Sequence, residues 1–181
     1  GQAACQAAAS LRQGGFEGGI TVVGDEAYAP YQRPPLSKQY LAGELDVENV
    51  LLRPKSFYEG KDIDLKTGIR VTAIERGAKA INMNNGETLS YDQLLLATGG
   101  RPRELTIPGS DLTGIHYLRS IADVDAIRAE MDTAKNMVIV GGGYIGLEVA
   151  SVAIKAGINV TVVETEDRIL KRVTTPKMSE F

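Results

Sequence analysis

Gly141-Gly142-Gly143-Tyr144-Ile145-Gly146 follows a short β-branched run, Asn136-Met137-Val138-Ile139-Val140, and opens a helix pattern that closes at Ala156-Gly157. The next run, Asn159-Val160-Thr161-Val162-Val163, is again strand-like and ends at Glu164. Strand, glycine turn, helix, strand and acid in this order form a βαβ nucleotide-binding unit. The first glycine, Gly141, permits the tight turn, and the second, Gly143, lets a pyrophosphate approach the backbone. The third, Gly146, lets the helix pack closely on its strand. The helix N-terminus then turns its free N–H groups toward the phosphates. Glu164 stands 18 residues after Gly146, near the spacing of an acid that bonds both ribose hydroxyls. A carboxylate there repels a 2′-phosphate, and no arginine stands immediately beside it, so NADH is favoured over NADPH.

The same design recurs at the start of the chain. Gly1-Gln2-Ala3-Ala4-Cys5 begins an alanine-rich helix pattern that ends at Gly14-Gly15, and the strand Ile20-Thr21-Val22-Val23 leads into Gly24-Asp25-Glu26. Laid on the later block, Gly1 matches Gly143, Ala4 matches Gly146, Ala8 matches Ala150, and Gly15 matches Gly157. This is an internal repeat of one βαβ unit. Its first copy lacks the opening strand and first glycine, so the sequence reads as a fragment cut inside its first glycine motif. The fold expected is α/β, with two Rossmann-like dinucleotide-binding domains, both incomplete.

Between the copies, Tyr31-Gln32-Arg33-Pro34-Pro35-Leu36-Ser37-Lys38 follows the first acid. The two prolines fix an extended approach, and Ser37 is placed to cap a short helix through Ala42-Gly43. A second short helix is expected near Lys55 to Tyr58. Strand patterns run from Ile69 to Ile74 and from Lys79 to Met83, with a turn at Asn84-Asn85-Gly86-Glu87. Leu94-Leu95-Leu96-Ala97 reads as a buried strand. Ile121 to Met131 is an amphipathic helix, with Ile121, Val124, Ile127 and Met131 on one face. Glu148 is the only charge between Gly141 and Ile154. Either it is a carboxylate favoured near a helix N-terminus by the dipole, or it serves a partner elsewhere in the chain.

Composition narrows the function. The 181 residues are 43% hydrophobic and 24% charged, as in a folded chain, and the net charge of −3 offers no basic excess for a phosphate backbone. No nucleic-acid partner is expected. No apolar run approaches the roughly 20 residues of a membrane helix, so no membrane partner is expected either. One cysteine and one histidine leave no metal site to expect. Cys5 reads as a small buried residue.

These residues resemble the flavin-dependent NADH:ferredoxin reductases of the putidaredoxin-reductase and dioxygenase-reductase type, within the pyridine nucleotide-disulfide oxidoreductases. The resemblance runs from end to end of the chain. It rests on Pro30-Tyr31 with Arg33-Pro34-Pro35-Leu36-Ser37-Lys38, Ala97-Thr98-Gly99-Gly100-Arg101-Pro102-Arg103, Tyr117-Leu118-Arg119, and Gly141 through Glu148. It implies an FAD-binding domain over 1–108 and an NAD(H)-binding domain over 109–181. Gly1, Ala3 and Ala4 then belong to the pyrophosphate turn of FAD, with Ala4 in the slot of the third glycine. Asp25 takes the adenosine ribose, a role its neighbour Glu26 can also fill. Val71 meets the adenine through its backbone, and Arg103 and Arg119 lie on the flavin side. Gly141, Gly143, Tyr144, Ile145, Gly146 and Glu164 fall to NAD, with Tyr144 over the nicotinamide.

The flavin carries the chemistry in that family, taking a hydride from NADH and passing electrons singly to a [2Fe–2S] ferredoxin, a small acidic redox protein. The implied catalytic pair is Lys38, beside the isoalloxazine, and Glu148. The family's disulfide-reducing relatives carry a cysteine pair just after the first acid. This chain has none, so disulfide reduction is excluded. The setting implied is cytoplasmic, serving an oxygenase or P450 system. An apoptosis-inducing-factor-like NADH-sensing flavoprotein and a rubredoxin reductase are the alternatives.

Replacing Glu164 with alanine and placing an arginine beside it should raise NADPH use relative to NADH, because carboxylate repulsion is lost and the 2′-phosphate gains a partner. The ratio of kcat/KM for the two nucleotides, measured on the intact protein, checks this. An unchanged ratio removes Glu164 from the ribose role.

Overall fold

The computed structural model describes residues 1–180. The chain divides into two units: Gly1–Gln32 with Val47–Gly100, and Arg33–Asp46 with the residues from Arg101 onward.

The first unit begins with α1, Gln2–Gln13. Its alanines favour the helix, and it closes where Gly15 takes φ +81° and Phe16 N–H reaches back to Leu11 O at 3.0 Å. The guanidinium of Arg12 binds the carbonyls of Phe16, Gly18, Lys61 and Asp62 at 2.7–2.8 Å, tying the helix end to the approach of β2. Strand β1, Ile20–Val23, pairs in parallel with β2, Ile63–Lys66, from Ile20↔Ile63 to Val23↔Lys66. Between them lie α2, Val47–Val50, and α3, Lys55–Gly60. Cys5, Ala8, Val22, Tyr58 and Ile63 form a buried cluster, and the Tyr58 hydroxyl donates to Cys5 Sγ at 3.2 Å. Cys5 is therefore the small buried residue expected. A three-stranded antiparallel sheet follows: β3, Val71–Glu75, β4, Ala80–Met83, and β5, Thr88–Ser90. Gly86, φ +86°, serves the turn between β4 and β5.

The second unit joins the proline loop to the later glycine motif. A single 3₁₀ turn, Pro34–Ser37, buries Leu36 and Ser37. Helix α4, Ile121–Met131, starts at a capping box in which Ser120 Oγ accepts from Asp123 N–H and Asp123 Oδ2 accepts from Ser120 N–H. Its Ile121, Val124 and Ile127 are buried, as the helical spacing requires. Strand β6, Asn136–Val140, pairs in parallel with β7, Asn159–Val163, and α5, Tyr144–Lys155, connects them and packs on both. Val149, Ala150 and Ala153 form the buried stripe of α5. The short helix α6, Pro176–Glu180, ends the described chain.

Three expectations are corrected. The two prolines do not hold an extended approach: they open the 3₁₀ turn Pro34–Ser37, because a φ fixed at about −65° suits that turn as well as an extended chain. Ser37 does not cap a helix through Ala42-Gly43. Residues 38–45 form successive turns instead, and the Ser37 side chain bonds elsewhere, to Glu148. Leu94–Ala97 is not a strand. Among the described residues no strand pairs with it, and Leu95 and Leu96 are 65% and 64% exposed. An apolar run specifies a strand only where a neighbouring backbone completes its hydrogen bonds.

The repeat holds through the helix, residue for residue. Shifted by 142 positions, α1 falls on α5 from first residue to last. Gly15 and Gly157 share φ near +81°. The closing bond from Phe16 N–H to Leu11 O recurs from Ile158 N–H to Ala153 O at 3.0 Å, and Ala8 and Ala150 are both buried.

The glycine turn is set by one close approach. A Cβ on Gly146 would lie 2.1 Å from the Gly141 carbonyl oxygen, while Gly141 itself adopts φ +117°. A Cβ on Gly143 would meet nothing within 4 Å. Gly146→Ala should therefore force α5 away from the turn and cost about 1–3 kcal/mol of unfolding free energy. Gly143→Ala, at an N-cap with ordinary extended backbone, should cost less than about 1 kcal/mol. Denaturant unfolding of the two variants checks the contrast, and equal losses would refute it.

Candidate functional site

The second unit brings four of the expected site residues to one place. Lys38, Glu148, Arg119 and Ile145 line a cavity of about 260 Å³, together with Arg33, Pro34, Ser37 and Leu118. Two backbone constraints make this possible. Pro34 and Pro35, with φ fixed by their rings, open a tight 3₁₀ turn that presents Ser37 and Lys38 in succession. The buried stripe of α5 fixes the helix so that Glu148, in its second turn, faces that turn. Leu36, fully buried, anchors the loop between the two polar residues.

Lys38 Nζ lies 2.9 Å from Glu148 Oε2 and 3.1 Å from the Pro34 carbonyl. Ser37 Oγ donates to the same Glu148 oxygen at 2.5 Å. Burial raises the Glu148 carboxyl, but the Ser37 hydrogen bond and the Lys38 ammonium outweigh it, so the group titrates below the ordinary carboxylate range. Of the two readings of Glu148, the geometry favours the one with a partner. Arg33 Nη1 donates to the Arg119 carbonyl, and Arg119 Nε is buried without a hydrogen-bond partner. A buried guanidinium nitrogen left open beside a cavity suits an acceptor or anion from a ligand. Arg33 and Ser37 were not singled out as site residues in the sequence. The residue next to an expected lysine on a proline-braced turn is the signal that points to Ser37.

The glycine turn forms a second feature. Gly143 is the N-cap of α5, with open space where a side chain would stand, and Tyr144 and Ile145 behind it are 55% and 54% exposed. This bare helix N-terminus fits a pyrophosphate. Glu164, at the end of β7, sends Oε2 back to Gly142 N–H at 2.6 Å, and its Oε1 accepts from Thr165 N–H and Glu166 N–H at 2.7 and 3.1 Å. Hydrogen bonds from Glu166, Gly142 and Thr165 hold its pKa down to about 2. Glu164 thus ties the glycine turn to the strand end, a bond that spacing alone did not indicate.

The first unit holds the remaining residues. Gly1, which precedes α1, has open space around its Cα, as Gly143 does, and Ala3 and Ala4 follow it in the first turn. Asp25 pairs with Arg70 at 3.1 Å on the surface, and Val71, next to Arg70, begins β3 and is 38% exposed. Glu26 instead accepts from the hydroxyl of buried Tyr31, which leaves Asp25 the more available of the two acids. Arg103 is exposed and belongs to neither cluster.

Known proteins give this geometry a context. Over all 181 residues the chain is 45% identical to rhodocoxin reductase of Rhodococcus erythropolis, covering 42% of that protein. Over 176 residues it is 43% identical to a rubredoxin-NAD(+) reductase of Pseudomonas putida, covering 97% of this chain and 46% of that one. The solved ferredoxin reductase for the CYP199A2 system from Rhodopseudomonas palustris superposes with a TM-score of 0.93 at 39% identity, over 98% of this chain and 44% of that one. The chain thus spans less than half the length of these relatives, within their FAD/NAD Rossmann-type fold. Residues 1–181 match the family described as pyridine nucleotide-disulphide oxidoreductase, and the chain belongs to that family.

Proposed function

We propose that this chain is part of a flavoprotein oxidoreductase that passes electrons from NADH through FAD to a [2Fe–2S] ferredoxin, serving an oxygenase or P450 system. The observation that carries this reading is the Lys38–Glu148 pair, which joins the proline loop to the helix of the later glycine motif at a cavity with an open arginine nitrogen. Similarity to reductases of a ferredoxin and a rhodocoxin supports it.

In this reading the nucleotide roles divide at residue 108. Residues 1–108 serve FAD and 109–181 serve NAD(H), while the loop 33–46, which packs with the later residues, carries Lys38 to Glu148. Gly1, Ala3 and Ala4 receive the FAD pyrophosphate, Asp25 its ribose, Val71 the adenine, and Arg103 and Arg119 further flavin atoms. Gly141, Gly143 and Gly146 receive the NAD pyrophosphate at the α5 N-terminus, and Glu164 its ribose. Tyr144 and Ile145 flank the nicotinamide. Lys38 and Glu148 hold the nicotinamide and set the charge around the reacting ring. Bound FAD supplies the exchange between a two-electron donor and one-electron acceptors: NADH gives a hydride, two ferredoxins each take one electron, and a proton is released. We place the reaction in the cytoplasm. Among the described residues no helix is long and apolar enough to cross a membrane.

A second reading, electron delivery to a rubredoxin, draws on the 43% identity to a rubredoxin-NAD(+) reductase. The intact, flavin-loaded protein should oxidise NADH and reduce a [2Fe–2S] ferredoxin faster than a rubredoxin, and the reverse order would favour the second reading. Lys38→Ala and Glu148→Ala should each slow hydride transfer on the order of tenfold, which is about 1.4 kcal/mol. Their double variant should lose less than the sum of the two, since they act as one pair. Rapid-mixing absorbance at the flavin band measures all three. Strict additivity would dissolve the pair.

A further inference from the structure

Ser37 is buried, at 3% exposure. Its hydroxyl has no water to turn to, and it spends its proton on Glu148 Oε2 at 2.5 Å, the oxygen that Lys38 Nζ also approaches at 2.9 Å. The two donors differ in kind. Lys38 sits on a flexible stem, is 41% exposed, and shares its ammonium with the Pro34 carbonyl. Ser37 has one rotatable carbon–oxygen arm, on a turn whose backbone is held by Pro34, Pro35 and fully buried Leu36. An exposed lysine fixes charge loosely. A buried hydroxyl fixes position.

We propose that Ser37 is a positioning residue: it fixes the Glu148 carboxylate through Oε2, so that the Lys38–Glu148 pair keeps one geometry toward the bound nicotinamide nucleotide. This rests on the function proposed above and assigns the geometric order of the pair to a third side chain. Ser37 acts only through Glu148, so its loss should matter only while Glu148 is present.

The test uses the intact, flavin-loaded protein. Ser37→Ala removes one buried oxygen and should weaken NAD+ binding, measured by calorimetry, by about three- to tenfold, and slow hydride transfer by less than the roughly tenfold expected of Glu148→Ala. Ser37→Thr, which keeps the hydroxyl, should bind NAD+ within about twofold of the parent. In a Glu148→Ala background, Ser37→Ala should add nothing to the loss. A crystal structure of the Ser37→Ala variant should show the Glu148 carboxylate shifted from its place beside Lys38. NAD+ affinity unchanged in Ser37→Ala, or an equal loss with and without Glu148, overturns the proposal. A parent protein that binds NADH and reduces ferredoxin while Ser37→Ala matches it sinks this inference alone. A parent that neither binds NAD+ nor oxidises NADH sinks the functional reading first, while the crystal structure still decides whether Ser37 holds Glu148.

Discussion

The approach of Gly146 to the Gly141 carbonyl, too close for any β-carbon, sets the angle at which α5 leaves its strand. Everything else in the second unit inherits that angle. It leaves the helix N-terminus bare at Gly143 and lays Val149, Ala150 and Ala153 on the sheet. It also puts Glu148, two residues past the contact, toward the proline loop. A helix displaced by one methyl group would move the Glu148 carboxylate as well as the bare N-terminus at Gly143, so both features share a single steric origin.

The Lys38–Glu148 pair illustrates how little a contact distance says by itself. At 41% and 29% exposure, a bridge of 2.9 Å contributes little to folding. Its weight lies in what surrounds it: a buried hydroxyl on the same oxygen, two guanidinium groups in the same wall, and a cavity on one side. Lys38 stands more than a hundred residues before α5 in the sequence, yet its loop packs with that helix. Stability for this contact comes from Leu36 and the apolar stripe of α5 more than from the charges.

Much of this was legible in the sequence because local rules governed it. The glycine spacing, the helix stop at Gly157 and the repeat with the first helix are all properties of short segments, and each appears in the structure at its expected residue. Lys38 and Glu148 came from family resemblance, and nothing local would have joined them. Three features escaped. Ser37 has the chemistry of a helix cap, and only the carboxylate arriving from α5 redirects its hydroxyl. The bond from Glu164 to Gly142 depends on strand ends meeting a turn 22 residues away. Leu94–Ala97 has the composition of a buried strand, but pairing is a property of two segments, and one cannot announce the other.

Glu164 keeps its negative charge under conditions that would silence an ordinary carboxylate. Backbone donors from Glu166, Gly142 and Thr165 hold it ionised down to about pH 2. A depressed folded pKa stabilises the fold fully above the unfolded value, and that effect fades progressively as pH falls from there through the folded value. A 2′-phosphate, by contrast, changes protonation close to neutrality, as phosphate monoesters do. Any choice between NADH and NADPH made at this position is thus graded by acidity from the nucleotide's side alone. At this position the protein contributes a constant charge through the range in which a histidine would change its own.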